Sequence, residues 1–175
     1  GTGTGWLVNR NGNITVALGA LSGGPNTTLS GRSSGSGGAG STYDIGGKNL
    51  STTFSGRIIN GNDVTSIIKS GTGTLRLAGT NTYTGTTMVN NGTLLVNGDS
   101  AAATGAVNVG VNGRLGGTGV IGGVTTVFGR LLPGDGIGTL TFTQSLTLNA
   151  SAIAQFEISK NPFGNDKVVV GGTVT

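Results

Sequence analysis

The sequence contains no cysteine and no histidine, and these two absences exclude much of the chemistry that proteins perform. Without cysteine there is no disulfide framework, no thiolate metal site and no thiol nucleophile. Without histidine there is no histidine-containing catalytic triad and no imidazole ligand for zinc or iron. Chemistry based on carboxylates is the main enzymatic route that stays open. The carboxylates are Asp44, Asp63, Asp99, Asp135, Glu157 and Asp166.

Charged residues are also rare, at 9% of the 175 residues, and only one residue is Glu. Because Glu, Lys, Gln and Met are scarce and Gly occurs 37 times, the chain has few residues that favour stable helices. It is rich instead in Thr, Val and Ile, which favour strands. Leu, Ile, Val and Phe make up about a quarter of the chain, which is enough to bury one core.

No apolar run approaches the length of a membrane-spanning helix, so we expect no direct membrane insertion by this segment. The sequence begins with Gly1 and shows no signal peptide, which indicates a mature or internal fragment. The net charge is +4, but no two of the ten Lys and Arg residues are adjacent. Nucleic-acid grooves usually combine clustered basic residues with stacking aromatics, so we expect no nucleic-acid partner. A weak attraction to anionic polysaccharide or lipid headgroups stays open.

Short runs of alternating apolar and polar residues recur along the chain and predict strands with one inward face. Leu75 and Leu77 are expected on one side of their strand, and Ala154, Phe156 and Ile158 are expected to face inward. The predicted strands lie near 13–18, 53–59, 64–69, 73–78, 86–90, 93–97, 106–109, 124–127, 139–143, 145–149, 152–159 and 167–170.

Asn-Gly pairs separate many of these runs, at 11–12, 60–61, 91–92, 97–98 and 112–113. Asn and Gly tolerate positive φ, so each pair predicts a turn. The turn could close a hairpin in an antiparallel sandwich or form a corner of a solenoid. The local turn chemistry does not separate these two folds.

A Gly-x-Leu step favours the solenoid. It begins at Gly73, Gly92, Gly113, Gly129 and Gly138, with spacings of 19, 21, 16 and 9 residues. A period near 20 that later slips predicts a β-solenoid whose coils stack at about 4.8 Å, the spacing between strands. At roughly 20–25 residues per coil, the chain would make about seven or eight coils. We predict one β-helical segment over 1–175, with a Gly/Ser-rich loop at about 31–41.

Residues 67–98 (IIKSGTGTLRLAGTNTYTGTTMVNNGTLLVNG) closely resemble the passenger-associated repeat of bacterial autotransporters, also called the autotransporter-associated β-strand repeat. About 20 positions fall in register without a gap. They include Lys69, Gly71 to Leu75, Leu77, Gly79, Asn81 to Gly85, Thr86, Thr87, Val89 and Gly92 to Leu94. Weaker similarity to the same family extends over about residues 15–170.

The resemblance implies an all-β chain folded as a right-handed parallel β-helix, in a bacterial protein that is secreted or displayed outside the outer membrane. It implies that this segment is a structural stalk that assists passenger folding and transport. The expected partner is the remainder of a longer chain, with a C-terminal translocator barrel or another anchor. Like copies and surface polysaccharide stay open as further partners.

Two glycine-rich stretches, 35–40 and 117–122, match the dinucleotide-binding pattern. With 37 Gly in the chain such matches are expected by chance, and the second is followed by a strand and turn rather than a helix. We therefore predict no cofactor. The aromatic residues are too dispersed to argue a sugar-stacking platform, and core packing is the preferred interpretation. The residues considered for such a platform are Trp6, Tyr43, Tyr83, Phe128 and Phe163.

Two carboxylate pairs have the spacing of neighbouring coils: Asp44 with Asp63, 19 residues apart, and Asp135 with Glu157, 22 residues apart. Such pairs could serve a polysaccharide hydrolase or lyase. However, most of the acids sit beside Gly or Asn, so we expect solvent-facing turn residues. The sequence predicts no catalytic, cofactor-binding or metal-ligating residue and no enzyme. The alternative is an adhesive or self-assembling surface module that binds polysaccharide, a host surface or neighbouring copies.

Overall fold

A computed structural model describes residues 5–8, 14–32, 40–160 and 162–175, and in these residues the regular secondary structure consists of strands alone. The strands are β1 (Gly5–Val8), β2 (Ile14–Leu18), β3 (Thr27–Ser30), β4 (Ser41–Ile45), β5 (Thr52–Phe54), β6 (Arg57–Ile59), β7 (Thr65–Lys69), β8 (Thr74–Leu77), β9 (Thr87–Val96), β10 (Asp99–Ser100), β11 (Val107–Gly117), β12 (Val120–Ile121), β13 (Thr125–Val127), β14 (Arg130–Pro133), β15 (Thr139–Phe142), β16 (Leu146–Leu148), β17 (Ile153–Ala154), β18 (Ile158–Lys160), β19 (Phe163–Asn165) and β20 (Lys167–Val170). None of these residues forms a helix that is long and apolar enough to cross a membrane.

Seven strands stack in parallel on the first face of the molecule, in the order β2, β4, β7, β9, β11, β13 and β16. Thr87 pairs with Ile67 on one side and with Val107 on the other, so 20 residues separate neighbouring strands here. Each turn of the chain therefore contributes one strand to this face. The result is a parallel β-helix, which confirms the predicted fold class and coil number.

The second face contains β5, β8, the second half of β9, the second half of β11, β14 and β17. The third face consists of two separate parallel ladders, β1-β3-β6 and β10-β12-β15-β20. Among the described strands, the one antiparallel ladder is the hairpin β18-β19. The Asn-Gly pairs at 60–61, 91–92, 97–98 and 112–113 therefore lie at corners of the solenoid and not in hairpin turns.

The interior is built from columns of like side chains, because parallel pairing places the same strand position of each coil above the last. On the second face, Leu75, Leu94, Leu115 and Leu131 are successive pairing partners, and all four are buried. Each buried leucine contributes about 1.5–3 kcal/mol from its removal from water. These columns supply the hydrophobic core along the length of the solenoid.

Asn81 joins the two ladders of the third face at the coil where no strand is present. Its side chain is fully buried, and its Oδ1 accepts a hydrogen bond from the Ile58 backbone N–H at 2.9 Å. Its Nδ2 donates to Ser100 Oγ at 3.0 Å and to the Gly79 carbonyl at 3.2 Å. The amide thereby bonds groups on the coil before it and the coil after it, and it continues the ladder from β6 to β10.

The predicted strand at 152–159 is wrong. Of the described strands, only β17 continues the second face there, and its one pairing partner among them is β14. The chain then leaves the stack as the hairpin β18-β19, so Ala154, Phe156 and Ile158 are exposed and not inward-facing. Alternation predicts that a strand has two faces, but a face is buried only where another layer packs on it.

The Gly/Ser-rich loop predicted at about 31–41 falls mainly on residues outside those described. The described residues at its two ends are Gly31, Arg32, Gly40 and Ser41, and Ser41 begins β4. The assignment of 1–175 to one segment stays a prediction.

We expect Asn81→Leu to lower the free energy of unfolding by about 3 kcal/mol, because a leucine of similar size leaves the Ile58 N–H buried without an acceptor. Urea denaturation followed by circular dichroism measures the change. Asn90→Leu is the matched control, since Asn90 is exposed on β9 and makes none of these bonds. Equal stability of the two variants would contradict the role of Asn81.

Candidate functional site

Lys69 lies inside the solenoid, at the corner between the first and second faces. It is only 1% exposed and occupies an inner column with Ile45 and Val89 as its pairing partners. Its Nζ donates hydrogen bonds to the carbonyl oxygens of Ser70, Gly71 and Asn91, the last two at 2.8 and 3.1 Å. Three acceptors match the three donors of an ammonium group. Because Asn91 belongs to the next coil, the lysine ties two coils together.

The electrostatic setting of Lys69 is mixed. Burial lowers its pKa, and the negative charge of Asp44 acts in the opposite direction. The Asp44 Oδ1 atom is itself buried and has no hydrogen-bond partner among the described residues, so the ammonium supplies compensating charge. All three N–H donors of the ammonium bond backbone carbonyls, so the group stabilises the corner between the first and second faces.

The corner also depends on glycine. Gly92 has φ of +65°, which side chains other than glycine rarely adopt. A Cβ atom on Gly92 would lie 2.4 Å from the Gly71 carbonyl oxygen of the coil below. The glycine that begins the Gly-x-Leu step at this corner is thus required by the close approach of stacked corners.

Tyr83 is buried beside the corner that enters β9, and its hydroxyl contacts Thr87 Oγ1 at 2.7 Å. Burial raises the pKa of the Tyr83 phenol, and the hydrogen bond with Thr87 acts the other way. The adjacent cavity of about 20 Å³ is lined mainly by apolar side chains, including Leu94 and Ile121. This volume holds no more than a single water molecule, so the cavity is packing space and not a ligand site.

Asp135 forms the best-defined ion pair on the outer surface. Arg76 Nε donates to its Oδ2 at 2.7 Å and Arg76 Nη2 to its Oδ1 at 2.9 Å, and Asn97 Nδ2 also donates to Oδ2 at 2.9 Å. The hydrogen bond from Arg76, and then that from Asn97, holds the pKa of Asp135 below its usual value of 3.8, and the same pair raises the pKa of Arg76. The loop after β14 is thereby fastened across coils to β8.

Two other carboxylates are buried, so the expectation that they face solvent is wrong. Asp63 is 2% exposed and lies 3.5 Å from Arg32. Asp166 is 4% exposed and accepts hydrogen bonds from the backbone N–H groups of Gly138 and Glu157. Asp166 thus anchors the base of the β18-β19 hairpin to the corner before β15. A turn-like sequence context indicates local conformation but does not indicate what packs on it.

Asp99 conforms to the expectation, because it is exposed and its Oδ1 accepts from the Ala101 N–H at 2.9 Å within its own turn. The two pairs that the spacing suggested have separate surroundings. Asp44 lies on β4 beside the charge of Lys69, and Asp63 faces Arg32. Asp135 bonds Arg76, and Glu157 is exposed.

Other candidate sites have equally ordinary surroundings. Over the described part of the chain, no group of three or more acidic, His or Cys side chains is arranged to hold a metal ion. Residues 117–122 run from the end of β11 through β12, and the next element is strand β13. Residues 35–39 of the other glycine stretch lie outside the described residues.

The aromatic residues are divided between the core and the surface. Tyr43 and Tyr83 are buried. Phe128 is exposed at a corner of the β-helix after β13, and Phe163 is exposed on the β18-β19 hairpin. The side chain of Trp6 lies outside the described part of the structure. The described aromatics therefore do not line up along one face.

The repeat pattern matches a known family. The family model of the passenger-associated-transport-repeat matches residues 67–96, the stretch that contains Lys69, Asn81, Tyr83 and Gly92. No solved structure matches the chain with significant similarity.

Two curated proteins share a larger part of the chain. The adhesin BmaC autotransporter of Brucella suis biovar 1 (strain 1330) is 44% identical over 87 residues, which are 49% of this chain and 2% of that protein. An extracellular serine protease of Serratia marcescens is 34% identical over 96 residues, which are 54% of this chain and 9% of that protein. The chain therefore spans only a small part of the length of either relative.

These matches confirm the resemblance that residues 67–98 suggested, and with it the predicted secreted or cell-surface location. The described chain is a parallel β-helix, and its residues 67–96 carry the passenger-associated-transport-repeat.

Proposed function

We propose that this segment is a structural stalk within a longer autotransporter passenger and that it assists the folding and transport of that passenger. The observation that carries the proposal is the unbroken sequence of parallel coil-to-coil pairings from β2 to β16 on the first face. Among the described strands, each one on this face pairs with the strands of the coils before and after it. A solenoid of this kind can fold progressively, because each new coil needs only the previous one as its template.

The polar groups of the repeat support the same proposal. Lys69 bonds the Asn91 carbonyl, and Asn81 bonds Ile58 and Ser100, so each side chain ties its coil to an adjacent one. These bonds use groups that would otherwise be buried without partners. They make the addition of a coil more favourable and fix its register on the coil already formed.

The two relatives give independent support. One is named an adhesin and the other an extracellular serine protease, yet each matches about half of this chain. A segment shared by proteins with such different names is better suited to a common mechanical task than to either activity. The partner of this segment in the proposal is the remainder of the longer chain, which would carry a translocator barrel or another anchor.

An adhesive or self-assembling role is the second candidate. It is favoured by the hairpin β18-β19, where Ile158 and Phe163 are 85% and 89% exposed. Apolar side chains on so small a hairpin are available for contact with another surface. We do not propose an enzyme, because Asp63, Asp135 and Asp166 are engaged in ion pairs or backbone hydrogen bonds that hold the fold.

We expect Lys69→Met in the full-length parent protein to reduce the fraction of passenger at the cell surface several-fold. The variant leaves the carbonyls of Ser70, Gly71 and Asn91 without the ammonium, which should destabilise the fold by about 3 kcal/mol. Antibody labelling of intact cells, normalised to total passenger, measures the fraction.

Lys167→Met is the matched control, since Lys167 is exposed on β20 and the chemical change is the same. Its surface fraction should equal that of wild type. If Lys69→Met destabilises the purified chain but is displayed as well as the control, the proposed link between coil stability and transport is incorrect.

The structural role of Asp135 predicts a specific pH dependence. Because the pKa of Asp135 is lower in the folded chain than 3.8, its pair with Arg76 contributes fully above that pH and is lost as the pH falls through the lowered pKa. Asp135→Asn should therefore lower the free energy of unfolding at pH 7, by at most about 1 kcal/mol for a surface pair. The difference from wild type should narrow at pH values below 3.8.

Urea denaturation at a series of pH values measures this difference. Asp99→Asn serves as control, because an asparagine Oδ1 can still accept the Ala101 hydrogen bond. A loss of stability in Asp135→Asn that does not change with pH would show that the carboxylate charge is not responsible. If the wild-type chain cleaved a polysaccharide and Asp135→Asn did not, the proposal that the segment is not an enzyme would be overturned.

A further inference from the structure

A groove crosses the corner between the first and second faces, and we call it the corner groove. Its volume is about 610 Å³, within the range of roughly 300–1,000 Å³ that is usual for ligand sites. Its lining is mainly polar. The lining residues are Thr72, Asn91, Gly92, Val111, Asn112, Gly113, Arg114 and Arg130.

The register of the strands explains why the corner is recessed. Lys69 pairs with Val89 and Thr74 pairs with Thr93, so four residues form the corner at 70–73 and three form the one at 90–92. The next corner, 110–113, again has four, because the pairing of β9 with β11 shifts by one residue after Val109. The short corner therefore lies between two longer ones.

The longer corners form the walls of the groove. Thr72 stands on one side, and Val111 and Asn112 stand on the other, with Val111 70% exposed. Asn91 and Gly92 of the short corner lie between them. The groove is thus a consequence of the different corner lengths, and it does not depend on the conformation of one side chain.

Arg114 and Arg130 stand in register beside this groove. They are direct pairing partners on adjacent parallel strands, β11 and β14, whose backbones are about 4.8 Å apart. Both are exposed, and neither forms an ion pair, although all six carboxylates of the chain belong to the described residues. Like charges directly opposite one another destabilise a sheet.

The other arginines on described strands and loops have partners. Arg76 bonds Asp135, Arg32 lies near Asp63, and Arg57 donates to Thr28 Oγ1. The pair at Arg114 and Arg130 is therefore an uncompensated concentration of positive charge. An anion that accepts hydrogen bonds from both guanidinium groups would relieve the repulsion.

Side-chain amides complete the groove. Asn91 and Asn112 are pairing partners on adjacent coils. The Asn91 Oδ1 accepts from the Gly92 N–H, while its Nδ2 makes no hydrogen bond to a described residue. Asn112 likewise makes no side-chain hydrogen bond within the described part of the chain. Amide and hydroxyl groups of this kind can bond the hydroxyl groups of a sugar.

We propose that the corner groove binds an anionic polysaccharide, with Arg114 and Arg130 holding its carboxylate or sulfate groups and Asn91, Asn112 and Thr72 contacting sugar hydroxyls. This inference goes beyond the stalk function, which needs no ligand. A polysaccharide suits a protein outside the cell, and its repeated charges suit two cations that lie on adjacent coils.

The composition of the groove disfavours other polyanions. Aromatic side chains that stack on nucleic-acid bases are absent from its lining. The one large apolar side chain in the lining is Val111, which is too little to enter a lipid bilayer. Polysaccharide is therefore the occupant that uses all the groups present.

Binding of the purified chain to heparin, to polygalacturonate and to neutral dextran tests the proposal, by calorimetry at low and at physiological salt. We expect binding to at least one of the two anionic polymers, weakened by salt, and none to dextran. Heparin alone would assign the groove to sulfate groups, and polygalacturonate alone to carboxylates. Arg114→Gln/Arg130→Gln should weaken the binding at least tenfold without lowering the thermal midpoint.

Lys48→Gln/Lys160→Gln is the matched control, because it removes the same charge from two exposed positions outside the groove. Its affinity should stay within about twofold of wild type. An equal loss in both double variants would overturn the proposal, and so would the absence of binding in wild type. Single-stranded DNA that binds as tightly as the polysaccharide would also overturn it.

If the glutamine variant does not fold, Arg114→Lys/Arg130→Lys keeps the charge and the side-chain length. Lysine cannot bond an anion in the bidentate way that arginine does, so a several-fold weaker affinity is expected. An affinity equal to that of wild type would show that the guanidinium groups are not the ligands.

Discussion

Parallel pairing of one coil on the next governs how every side chain of this solenoid packs. It places equivalent residues of successive coils above one another at about 4.8 Å, so each inner column accepts one kind of side chain. The column of Leu75, Leu94, Leu115 and Leu131 obeys this rule. Lys69 departs from it between Ile45 and Val89, and the departure is tolerated because three carbonyl oxygens surround its ammonium group.

The same constraint separates structural polar groups from those that are free to bind. Buried polar side chains such as Lys69, Asn81 and Asp166 are used by the backbone of neighbouring coils. On the outside, Arg76 is neutralised by Asp135. Arg114 and Arg130 are stacked by the same register without such compensation, and they border a recess that unequal corner lengths create. The rigid stack thus presents a fixed pattern of charge that its own stability does not require.

Much of the fold could be predicted from the sequence because its pattern repeats. The Gly-x-Leu steps that begin at 73, 92, 113 and 129 place their leucines in one column. The leucine of the last step, Leu140, lies on the third face instead. The spacing of 9 residues before that step is therefore a change of face and not a short coil. The strands β4 and β3 were not predicted, since their alternation is masked by Ser and Thr. Other features depend on which coil lies beside a residue, and only the register of the coils gives that information. They are the burial of Asp63 and Asp166, the hydrogen-bond partners of Lys69 and Asn81, and the exposure of Phe156.

Cysteine cross-linking measures the register of the stacked coils directly, because the chain has no cysteine of its own. Thr74 and Thr93 are pairing partners on adjacent coils, and Arg114 continues the column one coil further. A disulfide needs Cα atoms within roughly 4.4–6.8 Å, a distance that adjacent coils allow and coils two apart do not. Thr74→Cys/Thr93→Cys should therefore form an intramolecular disulfide on mild oxidation, whereas Thr74→Cys/Arg114→Cys should remain reduced. Failure of the first pair to cross-link, or equal cross-linking of both, would contradict the stacked-coil structure.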